Sequence, residues 1–407
     1  MPVPRLSELF QQPDASRFLR GVVASRRFGT AYLFHGPAGV GKGTAALAFA
    51  RAMLCDRGAG APARSLAGEP SLFGAPEPPA APAIDAPADD ACGQCEQCRK
   101  AETLQHPDLK FLFPVWGEEK IQGEQIAETI QAMRDDPLHV FQYEKASSIR
   151  LSQTRELLKE LGYRPYEAER RVVVVRDADR MREDQYSAML KAIEEPGMTV
   201  WILTTSRPSR LPATIRSRTQ KVRFAAIAEP EIRRFLETRA GADPHSSTLL
   251  AALASGSLGR ALMLRFSEPG LLRNNALSLL DPALRRDGPG LWRAAQAFMS
   301  YGRTGREALK LMVEFHQLWL RDLLRARYGA TDDELVNRDR KDEIRKAAEK
   351  VDATEVRRRL MVLEEMMRSI EGNISPDVAL FSGLARVAGS RMGENEWPRH
   401  DVDRWSY

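Results

Sequence analysis

The chain has 407 residues, 43% of them hydrophobic and 28% charged, with a mean hydropathy of −0.39. Domains usually run about 100 to 200 residues, so two or three are expected, and no apolar run approaches the roughly 18 residues of a membrane span, which excludes a transmembrane role. Lys and Arg number 60 against 55 Asp and Glu, and the resulting net charge of +5 permits contact with nucleic acid without demanding it.

Met1 to Gln11 holds no basic stretch leading into an apolar run, so no secretory signal is read there and the cytoplasm is the expected compartment. Ala31 to His35 (AYLFH) reads as a short buried strand. A glycine-rich loop follows it, and then an Ala-rich helix from about Thr44 to Leu54. Residues 57–91 contain eleven Ala, seven Pro and four Gly. That composition builds neither a helix interior nor a core and predicts a flexible insertion. Ile121 to Ser148 has no readable period.

From Ile149 the pattern sharpens. An amphipathic helix is expected over Ser152–Leu161, a strand over Arg171–Val175, a helix from Glu183 to Glu195 stopped by Pro196-Gly197, and a strand over Thr199–Thr204. Strands alternating with helices point to a parallel sheet, and the unbroken run Val172 to Val175 suits a strand covered on both faces. Beyond Phe224 the pattern turns helical. Boundaries near 225 and 270 divide the chain into an α/β domain (1–224), a small helical domain (225–270) and an all-helical domain (271–407).

Gly36-Pro-Ala-Gly39-Val-Gly41-Lys42-Gly43-Thr44 follows a strand and opens a helix. This is the setting of a phosphate-binding loop, in which backbone N–H groups approach the phosphates and the lysine reaches the outer ones. The residue after that lysine should be Ser or Thr, whose hydroxyl ligates magnesium; here it is Gly43. Thr44 comes one residue late, about 100° around the helix. Such a site also needs an acidic pair at the end of a buried strand. Counting back from Glu194-Glu195-Pro196, the magnesium position falls on Arg176 and the next acidic position on Asp177. Two magnesium contacts are missing. This leaves nucleotide binding without hydrolysis, a relic loop that no longer binds, or a glycine turn without a ligand.

Cys92, Cys95 and Cys98 are spaced two residues apart, and Cys55, at the end of the loop helix, is the fourth and last cysteine. Four thiolates complete the closed tetrahedral shell of a structural zinc site and leave no open position for catalysis. Disulfides and redox or iron–sulfur use are the alternatives. Ser217-Arg218 follows the strand carrying Thr204 and Thr205. An arginine there is ordinarily a solvated charge, but in oligomeric nucleotide machines it can stabilise phosphate charge in a neighbouring subunit.

Taken in order, these motifs resemble the AAA+ clamp-loader subunits of bacterial replication. The resemblance rests on the four cysteines, His106-Pro107-Asp108-Leu109, the run from Ser187 to Pro196, Ser217-Arg218, and Gly256-Ser-Leu-Gly-Arg260. It covers residues 15–55, 92–113 and 149–265 well and the C-terminal helices loosely. It implies an AAA+ phosphate-loop domain with flanking helices and a zinc module, then a helical lid and a helical collar. Gly43 and Arg176 align the chain with the member whose site is degraded and which donates an arginine finger in trans. On that resemblance Ser217 and Arg218 match the finger motif, Arg260 matches the second sensor, and Gly36, Gly39, Gly41, Lys42, Gly43 and Thr44 form a vestigial or weak nucleotide site. The implied partners are the delta and ATPase motor subunits in a hetero-pentameric ring, the sliding clamp and primer-template DNA, at replication forks on the nucleoid. The sequence departs from the motif at Thr219, where a cysteine is usual, and in the long insertion. The alternatives are an active ATP-hydrolysing motor subunit and a stand-alone zinc-containing DNA-binding protein.

Overall fold

A computed structural model describes residues 3–56, 89–115, 119–136, 139–141, 148–149, 151–265, 269–279, 287–300, 305–371 and 376–387. They fall into two compact units. One runs to Ala242 and regains Ala254–Met263; the other comprises Asp243–Leu253 and the chain from Leu264 onward. Residues 225–270, expected as one lid, are therefore shared between the two. The physical reason is local: the Gly259 N–H donates to Gly39 O at 2.8 Å and the Ile227 N–H to Gly256 O at 2.9 Å, which ties 254–263 to the first unit.

The first unit is built on a five-stranded parallel sheet. Its strands are β1 (Ala31–His35), β2 (Leu109–Leu112), β3 (Arg171–Val175), β4 (Thr199–Thr205) and β5 (Gln220–Arg223), in the order β2-β3-β4-β1-β5. Around it lie α1 (Pro13–Ser25), α2 (Lys42–Leu54), α3 (Glu96–Glu102), α4 (Glu119–Asp135), α5 (Leu151–Glu160), α6 (Glu183–Glu194), α7 (Ala213–Ser217) and α8 (Glu229–Arg239). The expected strands are found, and β4 extends one residue further, to Thr205. β2 and β5 were not anticipated. At four residues each, with β5 mostly exposed, they are too short to show a period.

Successive side chains of a strand point to opposite faces, and both faces here are apolar. Tyr32, Phe34, Val172, Val174, Val200 and Ile202 pack on one side with α1, α2 and the cysteines. Ala31, Leu33, Val173, Val175, Trp201 and Leu203 pack on the other with α5 and α6. Helix α2 is buried almost all round, and its alanines let it lie close against the sheet. Burying both faces places the strand ends, with their loops, at the rim where the site residues gather.

Residues 57–88 of the expected insertion lie outside the described residues, as do residues 142–147. Residues 89–91, at the insertion's end, are packed. Asp90 is fully buried and accepts hydrogen bonds from Leu6 N at 2.9 Å, Ser7 N at 2.8 Å and Ala91 N at 2.8 Å.

The second unit is helical: α9 (Pro244–Leu253), α11 (Pro269–Ser278), α12 (Gly288–Ser300), α13 (Gly305–Arg327), α14 (Lys341–Lys350), α15 (Ala353–Glu371) and α16 (Pro376–Val387). The short α10 (Leu258–Leu264) precedes α11. Helix α13 is the hub, packing on α11, α14 and α15, while α16 rests on α12 and α15. Buried Asp322 on α13 accepts from Val336 N, Asn337 N and Asn337 Nδ2 at 2.8–3.1 Å, and Arg273 grips Asp339 with both Nη atoms.

Candidate functional site

The phosphate loop joins β1 to α2. Gly36, Gly39 and Gly41 all have positive φ, at 149°, 70° and 98°, a region open to glycine and costly for other residues. Gly39 is doubly constrained. A Cβ there would overlap the Ser257 hydroxyl and come within 3.2 Å of Gly259. Half-buried Arg260 follows directly, its N–H donating to Ser257 Oγ at 3.2 Å. Ser257, Gly259 and the backbone of Arg260 are thereby brought to the loop.

Lys42 is buried and its Nζ donates to the carbonyls of Gly36 (2.8 Å) and Pro37 (2.5 Å). Burial lowers its pKa to about 8, with Arg176 pushing the same way and Asp177 and Asp179 opposing. Thr44 is exposed on the first turn of α2.

Gly43 faces Arg176. A Cβ on Gly43 would lie 2.6 Å from Arg176 Nη1. The guanidinium is held there by the ring of Phe141, 3.7 Å from its centroid, and by Asp177 at 3.6 Å. Its Nε makes no hydrogen bond. Neighbouring carboxylates are engaged elsewhere: Asp179 accepts from Thr205 Oγ1 at 2.7 Å and from Arg207 Nε at 2.9 Å. The Asp177 N–H donates to Thr204 Oγ1 at 3.0 Å. These residues do not fit a magnesium ion, because a cation stands where its hydroxyl ligand would project and the nearby carboxylates among the described residues, Asp177 and Asp179, pair with Arg176 and Arg207. Phe141 could not be found from the sequence, since it lies in the segment without a period and meets Arg176 only through the fold.

Ser217 and Arg218 end α7 and are exposed. Arg218 Nη2 pairs with Glu194 Oε1 of α6 at 2.7 Å, and Nη1 donates to Thr214 O at 3.2 Å. Thr219, in place of the usual cysteine, is buried with its hydroxyl on Ile215 O at 3.1 Å, so the turn is satisfied without sulfur.

The four cysteines converge. All are buried and free, and their sulfurs lie within 4.8 Å of one another. Cys55–Cys95 and Cys92–Cys98 are each 3.9 Å apart, nearly twice a disulfide bond of about 2.05 Å. A tetrahedron of zinc–sulfur bonds of about 2.3 Å has edges of about 3.8 Å. Backbone N–H groups of Cys92, Gln94, Cys95 and Cys98 point at the sulfurs at 3.3–3.5 Å, the support thiolate ligands require. Hydrogen bonds from Cys55 and then Cys98 hold the Cys95 thiol well below its ordinary range. The set could hold a metal ion such as zinc. It is anchored to α2 through buried Arg51, which bonds Glu102 at 2.9 Å and also reaches Val3 O.

Residues 82–228 match the family model described as DNA polymerase III, delta subunit. The chain is 24% identical over 366 residues to DNA polymerase III subunit delta' of Bacillus subtilis (strain 168), covering 89% of this chain and 92% of that protein. Subunit delta' of Pseudomonas aeruginosa is 29% identical over 189 residues, 46% of this chain and 40% of that protein. Subunit tau of Escherichia coli (strain K12) is 26% identical over 240 residues, 58% of this chain and only 28% of tau. Over most of its length the chain is thus similar to a subunit delta' of DNA polymerase III, and over more than half of it to a subunit tau.

Proposed function

We propose that this chain is a non-hydrolysing, delta-prime-type subunit of the clamp loader, helping to place the sliding clamp on primed DNA. The observation that carries this reading is the Arg176 guanidinium against Gly43. A motor subunit needs a hydroxyl and a carboxylate at those positions to hold magnesium.

Its contribution to catalysis is then made outward. Arg218, exposed at the end of α7, would reach the nucleotide of an adjacent motor subunit and offset the charge that develops on the transferring phosphate. Its pairing with Glu194 keeps the guanidinium extended and oriented. Ser217 serves by closing the turn that presents it. Arg260 and the parts of residues 225–270 that pack with the first unit act as the lid, and residues 271–407 as the collar that joins delta and the motor subunits in a five-membered ring. Zinc held by Cys55, Cys92, Cys95 and Cys98 would cross-link the end of α2 to α3, a purely structural service. The complex would work in the cytoplasm at replication forks.

Co-expression with the delta and motor subunits of the same organism tests the assignment. The expected result is a stable complex containing this chain, and no ATP turnover by the chain alone. A chain that stays out of the complex, hydrolyses ATP robustly by itself, or binds duplex DNA tightly alone would replace this reading with one of its alternatives.

A further inference from the structure

We infer that Arg176 takes the place of the divalent cation, so that the phosphate loop accepts a nucleoside polyphosphate without magnesium.

In an ordinary loop the residue after the lysine brings a hydroxyl to the metal. Here that residue has no side chain, and the space beside it is filled: a single added carbon on Gly43 would come 2.6 Å from Arg176 Nη1. The glycine and the arginine are therefore one feature. Gly43 leaves room for the guanidinium, and the guanidinium brings the positive charge. Stacking on Phe141 at 3.7 Å fixes the arginine with Nη1 beside Gly43.

Charge supports the same conclusion. Buried Lys42 and Arg176 are both cations at the loop, and Lys42 satisfies its ammonium on the carbonyls of Gly36 and Pro37. Asp179 is engaged by Thr205 and Arg207, and Asp177 sits at the long distance of 3.6 Å from Arg176 Nε, an atom with no hydrogen bond. The loop thus joins positive-φ glycines, a helix N-terminus and two clustered cations, a setting that favours an anion. A guanidinium fits a phosphate with paired N–H donors. A magnesium ion brought to the same place would be repelled by it.

The inference rests on reading this loop as a nucleotide site and is independent of ring assembly. It is tested by titrating the full-length, zinc-replete chain with fluorescent ATP in metal-depleted buffer, then with saturating magnesium. Chelators are omitted so that the cysteine site stays intact. The expected dissociation constants agree within about threefold, Arg176→Ala weakens binding at least about tenfold in both buffers, and Gly43→Ser does the same by displacing the guanidinium. The double variant Arg176→Asp with Gly43→Ser should regain affinity only when magnesium is present. Melting curves confirm that each variant is folded. Binding by the natural chain that requires magnesium, no binding at millimolar ATP, or an Arg176→Ala variant with unchanged affinity would each overturn the inference. Any of these leaves co-assembly with the other subunits, and hence the proposed function, standing.

Discussion

Arg218 Nη2 lies 2.7 Å from Glu194 Oε1, and both side chains are close to half exposed, at 41% and 47%. An ion pair so open to water is worth less than about 1 kcal/mol. Glu194→Gln is therefore expected to leave the melting temperature within about 3 °C of the natural chain. If Glu194 only orients the arginine, the variant complex keeps most of its DNA-stimulated ATPase rate. Calorimetry on the chain and turnover assays on the complex check the two halves.

The sulfur cluster predicts one zinc per chain by elemental analysis. Cys92→Ser or Cys98→Ser should reduce this to near zero. A structural zinc contributes folding free energy directly, so chelation should lower the first unit's melting temperature by several degrees. A preparation with iron in place of zinc, or with full stability after metal removal, would contradict the assignment.

His316 on α13 is fully buried, with Nδ1 2.9 Å from Met312 O. Burial pushes its pKa down to about 4, against a slight opposing pull from that carbonyl. The folded chain thus resists a proton that the unfolded chain accepts at an ordinary pKa of about 6.5. Stability should fall as pH drops through the window from about 6.5 to 4, by about 2 kcal/mol at pH 5. His316→Leu should flatten this part of the profile, as read by urea denaturation of the full chain at pH 7.5 and pH 5.

Asp108 is fully buried and accepts three backbone N–H bonds, from Tyr166 (2.7 Å), Glu167 (2.8 Å) and Ala168 (2.9 Å). Burial alone would raise its pKa, but these bonds outweigh it and hold the carboxyl below its usual range. Its stabilisation is accordingly present above about pH 4 and is lost on further acidification. Asp108→Ala leaves three donors without a partner and should cost about 3 kcal/mol or more, measured as a shift of the urea midpoint.

Much of this was legible in the sequence because it is local. β1 and β3 are short unbroken apolar runs between loop signals, and α2 opens on a glycine motif whose chemistry fixes its place. The cysteine spacing carries its own geometry. What escaped depends on contacts distant in sequence. Asp90 ends an Ala/Pro-rich stretch yet reaches Leu6 and Ser7. Phe141 lies in a segment without periodicity and meets Arg176 only once the sheet is formed. Residues 254–263 read as part of a continuous helical stretch, and only the Gly39–Gly259 contact shows that they belong with the α/β unit.

The claim that this chain assists hydrolysis at a neighbour's nucleotide and hydrolyses none of its own is tested most directly by Arg218→Ala in a reconstituted loader. The account predicts normal assembly with a DNA-stimulated ATPase rate reduced several-fold, since a trans arginine can contribute orders of magnitude at its own site. An Arg218→Ala complex that hydrolyses ATP and loads clamps at the natural rate would contradict it.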